Sequence, residues 1–104
     1  MAKYEYEVEY LPSFDRELEE TLYYIIYKLN NKNAAEKLIQ NIQKAIIDRS
    51  TNPEGFEIYK EEKKRNHKWY RIYVGNYTII YTMKDTLMQI ARLLYNKRNF
   101  ERLI

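Results

Sequence analysis

Polar and apolar residues alternate without interruption from Tyr4 to Tyr10, so that Tyr4, Tyr6, Val8 and Tyr10 share one face and the intervening glutamates the other. A period of two predicts a half-buried strand. Pro12 and Ser13 break it, and the period lengthens. Phe14, Leu18, Leu22, Ile25 and Leu29 recur every three or four residues, the stripe of an amphipathic helix that Ser13 is placed to cap and that runs to about Leu29. After the polar break Asn30-Asn31-Lys32-Asn33, Asn33 and Glu36 stand at capping-box spacing ahead of Ala35, Leu38, Ile39, Ile42, Ala45 and Ile46. This predicts a second helix, and with the first a helical hairpin.

Residues 50–68 lose both periods. Pro53 and Gly55 are followed by Lys60-Glu61-Glu62-Lys63-Lys64-Arg65-Asn66-His67-Lys68, a mostly basic run that reads as an exposed loop able to touch a polyanion. From Trp69 the period of two returns over residues 69–74, 77–83 and 87–94, with turns at Gly75-Asn76 and Lys84-Asp85, which predicts an antiparallel meander of three strands. Helices grouped between a first strand and three later ones give the order β-α-α-β-β-β, a two-layer α+β arrangement expected to form a single domain over residues 1–104. The first strand is expected to join the later sheet, because alone beside the helices its backbone groups would lack partners.

Composition narrows the chemistry. With 104 residues, 45% of them hydrophobic and 32% charged, and only 2 Gly and 2 Pro, the chain can bury one core and is not of the disordered kind. It has no cysteine and 1 histidine, so no disulfide, thiolate metal site or histidine-based metal centre is expected, and no cofactor. No apolar run approaches the roughly 20 residues of a membrane span, and the first residues lack the apolar stretch of a secretory signal, so the expected location is cytoplasmic, with no membrane partner. The net charge of +3 is unevenly placed: residues 1–59 sum to −4 and residues 60–104 to +7. A basic half of that kind attracts a polyphosphate or an acidic protein.

Four segments in this order carry a resemblance. They are Tyr6-Glu7-Val8-Glu9-Tyr10-Leu11-Pro12, Asn33-Ala34-Ala35-Glu36, the stretch from Tyr70 to Tyr81 with Gly75-Asn76-Tyr77-Thr78 at its centre, and Arg92-Leu93-Leu94-Tyr95-Asn96-Lys97-Arg98-Asn99. Together they resemble the RelE/ParE superfamily of toxins from type II toxin-antitoxin systems, a group that includes plasmid stabilization proteins. The resemblance implies a twisted antiparallel sheet packed against an N-terminal helical hairpin, and a hetero-oligomer with a co-expressed antitoxin. It also implies one of two targets: ribosome-bound mRNA, cleaved without a metal, or DNA gyrase, inhibited by binding.

Metal-free RNA cleavage needs a base, an acid and cations for the phosphorane. On that reading the candidate catalytic residues are Arg71, Arg92, Tyr95 and Arg98, and the candidate RNA- or target-binding residues are Lys63, Lys64, Arg65, Lys68 and Lys97. The pattern departs from the nuclease branch at two points. Thr78 stands where that branch usually carries arginine after the aromatic residue, and Leu94-Tyr95 stands where some members have His-Tyr. Tyr95 could move a proton only with cationic help such as Arg98, and otherwise reads as a packing aromatic. His67, set among Lys and Arg, reads more readily as a bystander than as a proton carrier. Arg71 alternates with Trp69 and Tyr73 and so shares a face with aromatics that could stack bases or sandwich its guanidinium. Whether the chain is an enzyme is left open by these residues. A gyrase-binding toxin is preferred narrowly over a ribonuclease, with a non-toxic antitoxin-binding relic as the third reading. The tail with Phe100, Leu103 and Ile104 is expected to form one helical turn.

Overall fold

The computed structural model describes residues 6–56, 58–63 and 67–96. β1 (Glu7–Tyr10) runs straight into α1 (Pro12–Tyr23), and α2 (Lys32–Arg49) follows after a π-helical segment, Tyr24–Lys28. Then come β2 (Ile58–Glu62), β3 (His67–Val74), β4 (Tyr77–Lys84) and β5 (Leu87–Tyr95). The five strands lie in the order β1-β5-β4-β3-β2.

The α+β arrangement of a helical hairpin on a sheet is as expected, with two differences in the sheet. β2 occupies part of the stretch read as a loop, pairing antiparallel with β3 at the edge. Its residues are almost all exposed, so neither face shows the apolar alternation by which a strand is recognised. The meander β3-β4-β5 is antiparallel, but β1 joins it parallel to β5, with Val8 opposite Met88 and Tyr10 opposite Ile90, and the sheet is therefore mixed. A parallel partner requires a crossover of a dozen or more residues, and the helical hairpin is part of one that returns the chain to the opposite edge.

Both helix caps also shift. Leu11 is the N-cap of α1, and Ser13, the predicted cap, instead donates its hydroxyl to the Ala91 carbonyl and so ties the helix to β5. Asn31, not Asn33, caps α2, its side chain accepting from the Ala34 amide at 3.1 Å. The first helix gives way at Tyr23 to the wider π turns, and Asn30 ends it with φ of 50°, a left-handed value that Asn tolerates better than most residues. At the β3–β4 turn Gly75 has φ of 57°, and a Cβ there would meet nothing within 4 Å, so the backbone angle and not crowding selects glycine.

The register puts Tyr70, Ile72 and Val74 of β3, Ile79 and Tyr81 of β4, and Met88 and Ile90 of β5 on the face beneath the helices, where they pack with Phe14, Ile42 and Ile46. Each such aliphatic side chain contributes roughly 1.5–3 kcal/mol on burial. A bulge falls where Ile80 opposes Arg92 and Tyr81 opposes Ile90, leaving Ala91 unpaired. The extra residue changes the alternation of β5, so that Leu93 and Tyr95 continue the helix-covered face begun by Met88 and Ile90.

Candidate functional site

Among the described residues no helix packs on the other face of the sheet. Trp69, Arg71 and Tyr73 of β3 stand there with Thr78, Ile80 and Thr82 of β4. A groove of about 680 Å³ runs across it, lined by Tyr59, Arg71, Tyr73, Thr78, Ile80, Leu94, Tyr95 and Asn96. The guanidinium carbon of Arg71 lies 5.3 Å from the ring centre of Tyr59 and 5.1 Å from that of Tyr73, within cation–π range of both. Of the two aromatics expected beside Arg71, Tyr73 is there, whereas Trp69 stacks on His67 and the second ring is Tyr59 of β2, a strand that local pattern does not reveal.

Beneath this cation the backbone is fixed from the opposite side. Arg49, at the end of α2, donates from one nitrogen to the Arg71 carbonyl at 3.1 Å and to the Tyr81 hydroxyl at 2.9 Å. Its guanidinium rests 3.7 Å above the Phe56 ring, and the Tyr81 hydroxyl donates in turn to the Pro53 carbonyl at 2.6 Å. Burial pushes the Tyr81 phenol above its ordinary range against the opposing pull of Arg49. This network joins α2, the chain around Pro53 and β3 at the residue whose side chain stands on the open face.

Of the remaining catalytic candidates among the described residues, Tyr95 lines the groove with Arg71 and Arg92 does not. Arg92 is held by Glu17 of α1, with its Nε 3.0 Å from each carboxylate oxygen and its Nη2 2.6 Å from one of them. The same carboxylate accepts from the Leu93 amide at 2.9 Å, satisfying an N–H that β1 is too short to reach. Burial raises the Glu17 carboxyl, but the hydrogen bonds from Arg92 and the Leu93 amide, with the charges of Arg92 and Arg16, outweigh it and hold the group below the usual range. Arg92 thus docks the first helix on the last strand. Tyr95 packs edge-on against Tyr77 at 5.5 Å, and it forms the ridge between the groove and a second concavity of about 830 Å³ that Tyr24, Ile25, Leu38 and Tyr77 line under the helical hairpin.

Thr78 is buried and donates to the Asn96 side chain, while the Asn96 amide donates to the Asn76 carbonyl at 2.7 Å. The position that carries arginine in the nuclease branch is here a structural tie between the hairpin turn and the end of β5. His67 stacks on Trp69 with ring centres 4.6 Å apart and planes 10° from parallel; its Nε2 is buried without a partner among the described residues. Lys63 and Lys68 are exposed, away from the groove lining. Lys64, Arg65, Lys97, Arg98 and the tail with Phe100, Leu103 and Ile104 lie outside the described residues, as does Tyr4 of the first strand.

Sequence reasoning passed over Tyr59, Arg49, Glu17 and Asn96. The Arg92–Glu17 contact joins residues 75 apart, and Arg49–Tyr81 joins residues 32 apart, separations across which period and spacing carry no signal. No helix among the described residues is long and apolar enough to cross a membrane.

No curated protein matches the chain. The family model described as ParE toxin of type II toxin-antitoxin system, parDE, matches residues 8–100, which span β1 to beyond β5 and include every element that builds the two faces of the sheet. The chain belongs to the RelE/ParE toxin family of type II toxin-antitoxin systems.

Proposed function

We propose that this toxin acts in the cytoplasm and arrests growth by binding DNA gyrase, using the open sheet face around Arg71, and that it does not cleave RNA. The observation that carries this reading is the commitment of the candidate catalytic groups to structure. Arg92 is clamped by Glu17 and Thr78 is tied to Asn96, and the groove around Arg71 is lined among the described residues by no histidine or carboxylate, only by one further candidate, the Tyr95 phenol, which packs on Tyr77. Inhibition by binding needs a complementary surface only, whereas cleavage needs proton transfer at both oxygens of the scissile bond.

The ribonuclease reading draws support from Arg71 itself, since a guanidinium between two exposed rings suits a phosphate flanked by a stacked base. One experiment separates the two. The purified chain is titrated into a coupled translation reaction with primer-extension mapping of the message, and into a gyrase supercoiling assay. Intact message with lost supercoiling is expected. Defined cuts that require ribosomes and vanish in Arg71→Ala or Arg98→Ala would establish the nuclease instead. Growth arrest on expression excludes a non-toxic relic.

A further inference from the structure

We propose that the open face around Arg71 receives an extended, acidic segment of the antitoxin, with one carboxylate on the Arg71 guanidinium and a neighbouring aliphatic side chain on Ile80 and Leu94. The inference rests on the antitoxin partnership that the family implies, and is independent of which target the toxin meets.

Three features of the face call for such an occupant. The first is an uncompensated cation. Arg71 is half-buried and oriented by Tyr59 and Tyr73, yet the ion pairs among the described residues are Arg92–Glu17 and Arg16–Glu20. Of the acids that share its face among the described residues, Glu62 accepts from the Trp69 indole at 3.4 Å, Glu9 accepts from the Gln89 amide at 2.8 Å, and Glu7 stands on β1 with two strands between it and β3. With both rings within cation–π distance, the guanidinium keeps the paired N–H donors that match the two oxygens of a carboxylate.

The second feature is what lies beside the charge. Ile80 is opposite Arg71 in the register, and Leu94 is opposite Thr78, so an aliphatic floor extends from the cation across two further strands. Side chains two residues apart on an extended peptide are roughly 7 Å from one another, a reach that takes the chain from Arg71 onto that floor. The third feature is the charge of the surroundings. Residues 60–104 carry a net +7, which steers an acidic segment toward this half of the chain.

A nucleic-acid strand fits these features less well. Its phosphates repeat along the chain and call for a row of cations, whereas among the described residues Arg71 is the one cation lining the groove. Exposure of Tyr59 at 48% and Tyr73 at 60% leaves two rings free to become the aromatic anchors of a protein interface.

The test titrates the full chain against short fluorescent peptides tiling the antitoxin, against intact antitoxin, and against single-stranded oligouridine. An acidic, aliphatic-containing peptide is expected to bind and to weaken about tenfold or more with Arg71→Met. Arg71→Lys, which keeps charge but loses the planar fork, is expected to fall between. Tyr23→Ser on the helical hairpin should change affinity less than about twofold. Unchanged peptide affinity in a folded Arg71→Met, or Arg71-dependent binding of oligouridine with no peptide bound, would overturn the proposal. Should Arg71→Met fail to fold, a photocrosslinking residue at Tyr73 leaves Arg71 in place. Capture of the acidic peptide there supports the proposal, and capture only from Tyr27 on the hairpin refutes it. Intact antitoxin that fails to bind at all would remove the partnership itself, a different failure from binding at another surface.

Discussion

The two faces of the sheet use alternate residues of the same strands for opposite purposes. Under the helices Ile79, Tyr81, Met88 and Ile90 are 0% exposed, while on the other side Tyr73 is 60% exposed beside a cation that forms no ion pair among the described residues. In β3 the division falls between Tyr70, Ile72 and Val74 on one side and Trp69, Arg71 and Tyr73 on the other. A strand whose side chains alternate can thus hold the fold with one set and leave the other free for recognition. The two sets still communicate through the backbone, since Arg49 grips the Arg71 carbonyl and the Tyr81 hydroxyl together.

This contrast is broken most forcefully from the covered side. Ile79→Ala empties a fully buried site and should cost about 2–5 kcal/mol of stability in chemical unfolding, a large share of the total for a domain this size. Tyr81→Phe keeps the ring but removes the hydroxyl that joins Arg49 to the Pro53 carbonyl, and should cost about 1–2 kcal/mol by the same measurement.

Glu17→Gln should cost about 1 kcal/mol, reduced from the value of a buried pair because the Arg92 side chain is 49% exposed. The sign of its pH dependence follows from the lowered carboxyl. The folded state holds Glu17 below its ordinary 4.5, so the wild-type advantage is complete above that value and disappears as pH falls through the depressed folded value. Unfolding of wild type and variant should therefore differ at pH 7 and converge in acid. An advantage that grew on acidification would contradict the assignment. The smallest stability effect belongs to the open face, where Tyr73→Ser should move the unfolding free energy by less than about 0.5 kcal/mol while weakening antitoxin binding.

Much of the covered face is legible in the sequence, because Val8, the stripe from Phe14 to Ile25, and the alternation in β3 and β4 all express burial on one side. Pairing direction is not, since nothing in Tyr6 to Tyr10 records that β1 will lie parallel to β5. The bulge at Ala91 is likewise a property of two strands together. For the open face, Arg71 could be picked out by its aromatic neighbours Trp69 and Tyr73. Tyr59 could not, because its position beside Arg71 depends on β2 pairing within a stretch dominated by charge. Arg92 stands out in the sequence by its type and place, whereas its hydrogen bonds to Glu17 depend on the packing of α1 on β5, which the sequence does not display.

If the open face acts while the covered face holds, gyrase supercoiling of relaxed plasmid separates them when titrated in parallel with wild-type chain, Arg71→Met and Glu17→Gln, each first confirmed as folded. Wild type and Glu17→Gln should inhibit at similar concentrations, with Arg71→Met requiring about tenfold more or failing. Equal inhibition by all three would place the acting surface elsewhere, and undiminished supercoiling in the presence of wild type would contradict gyrase as the target.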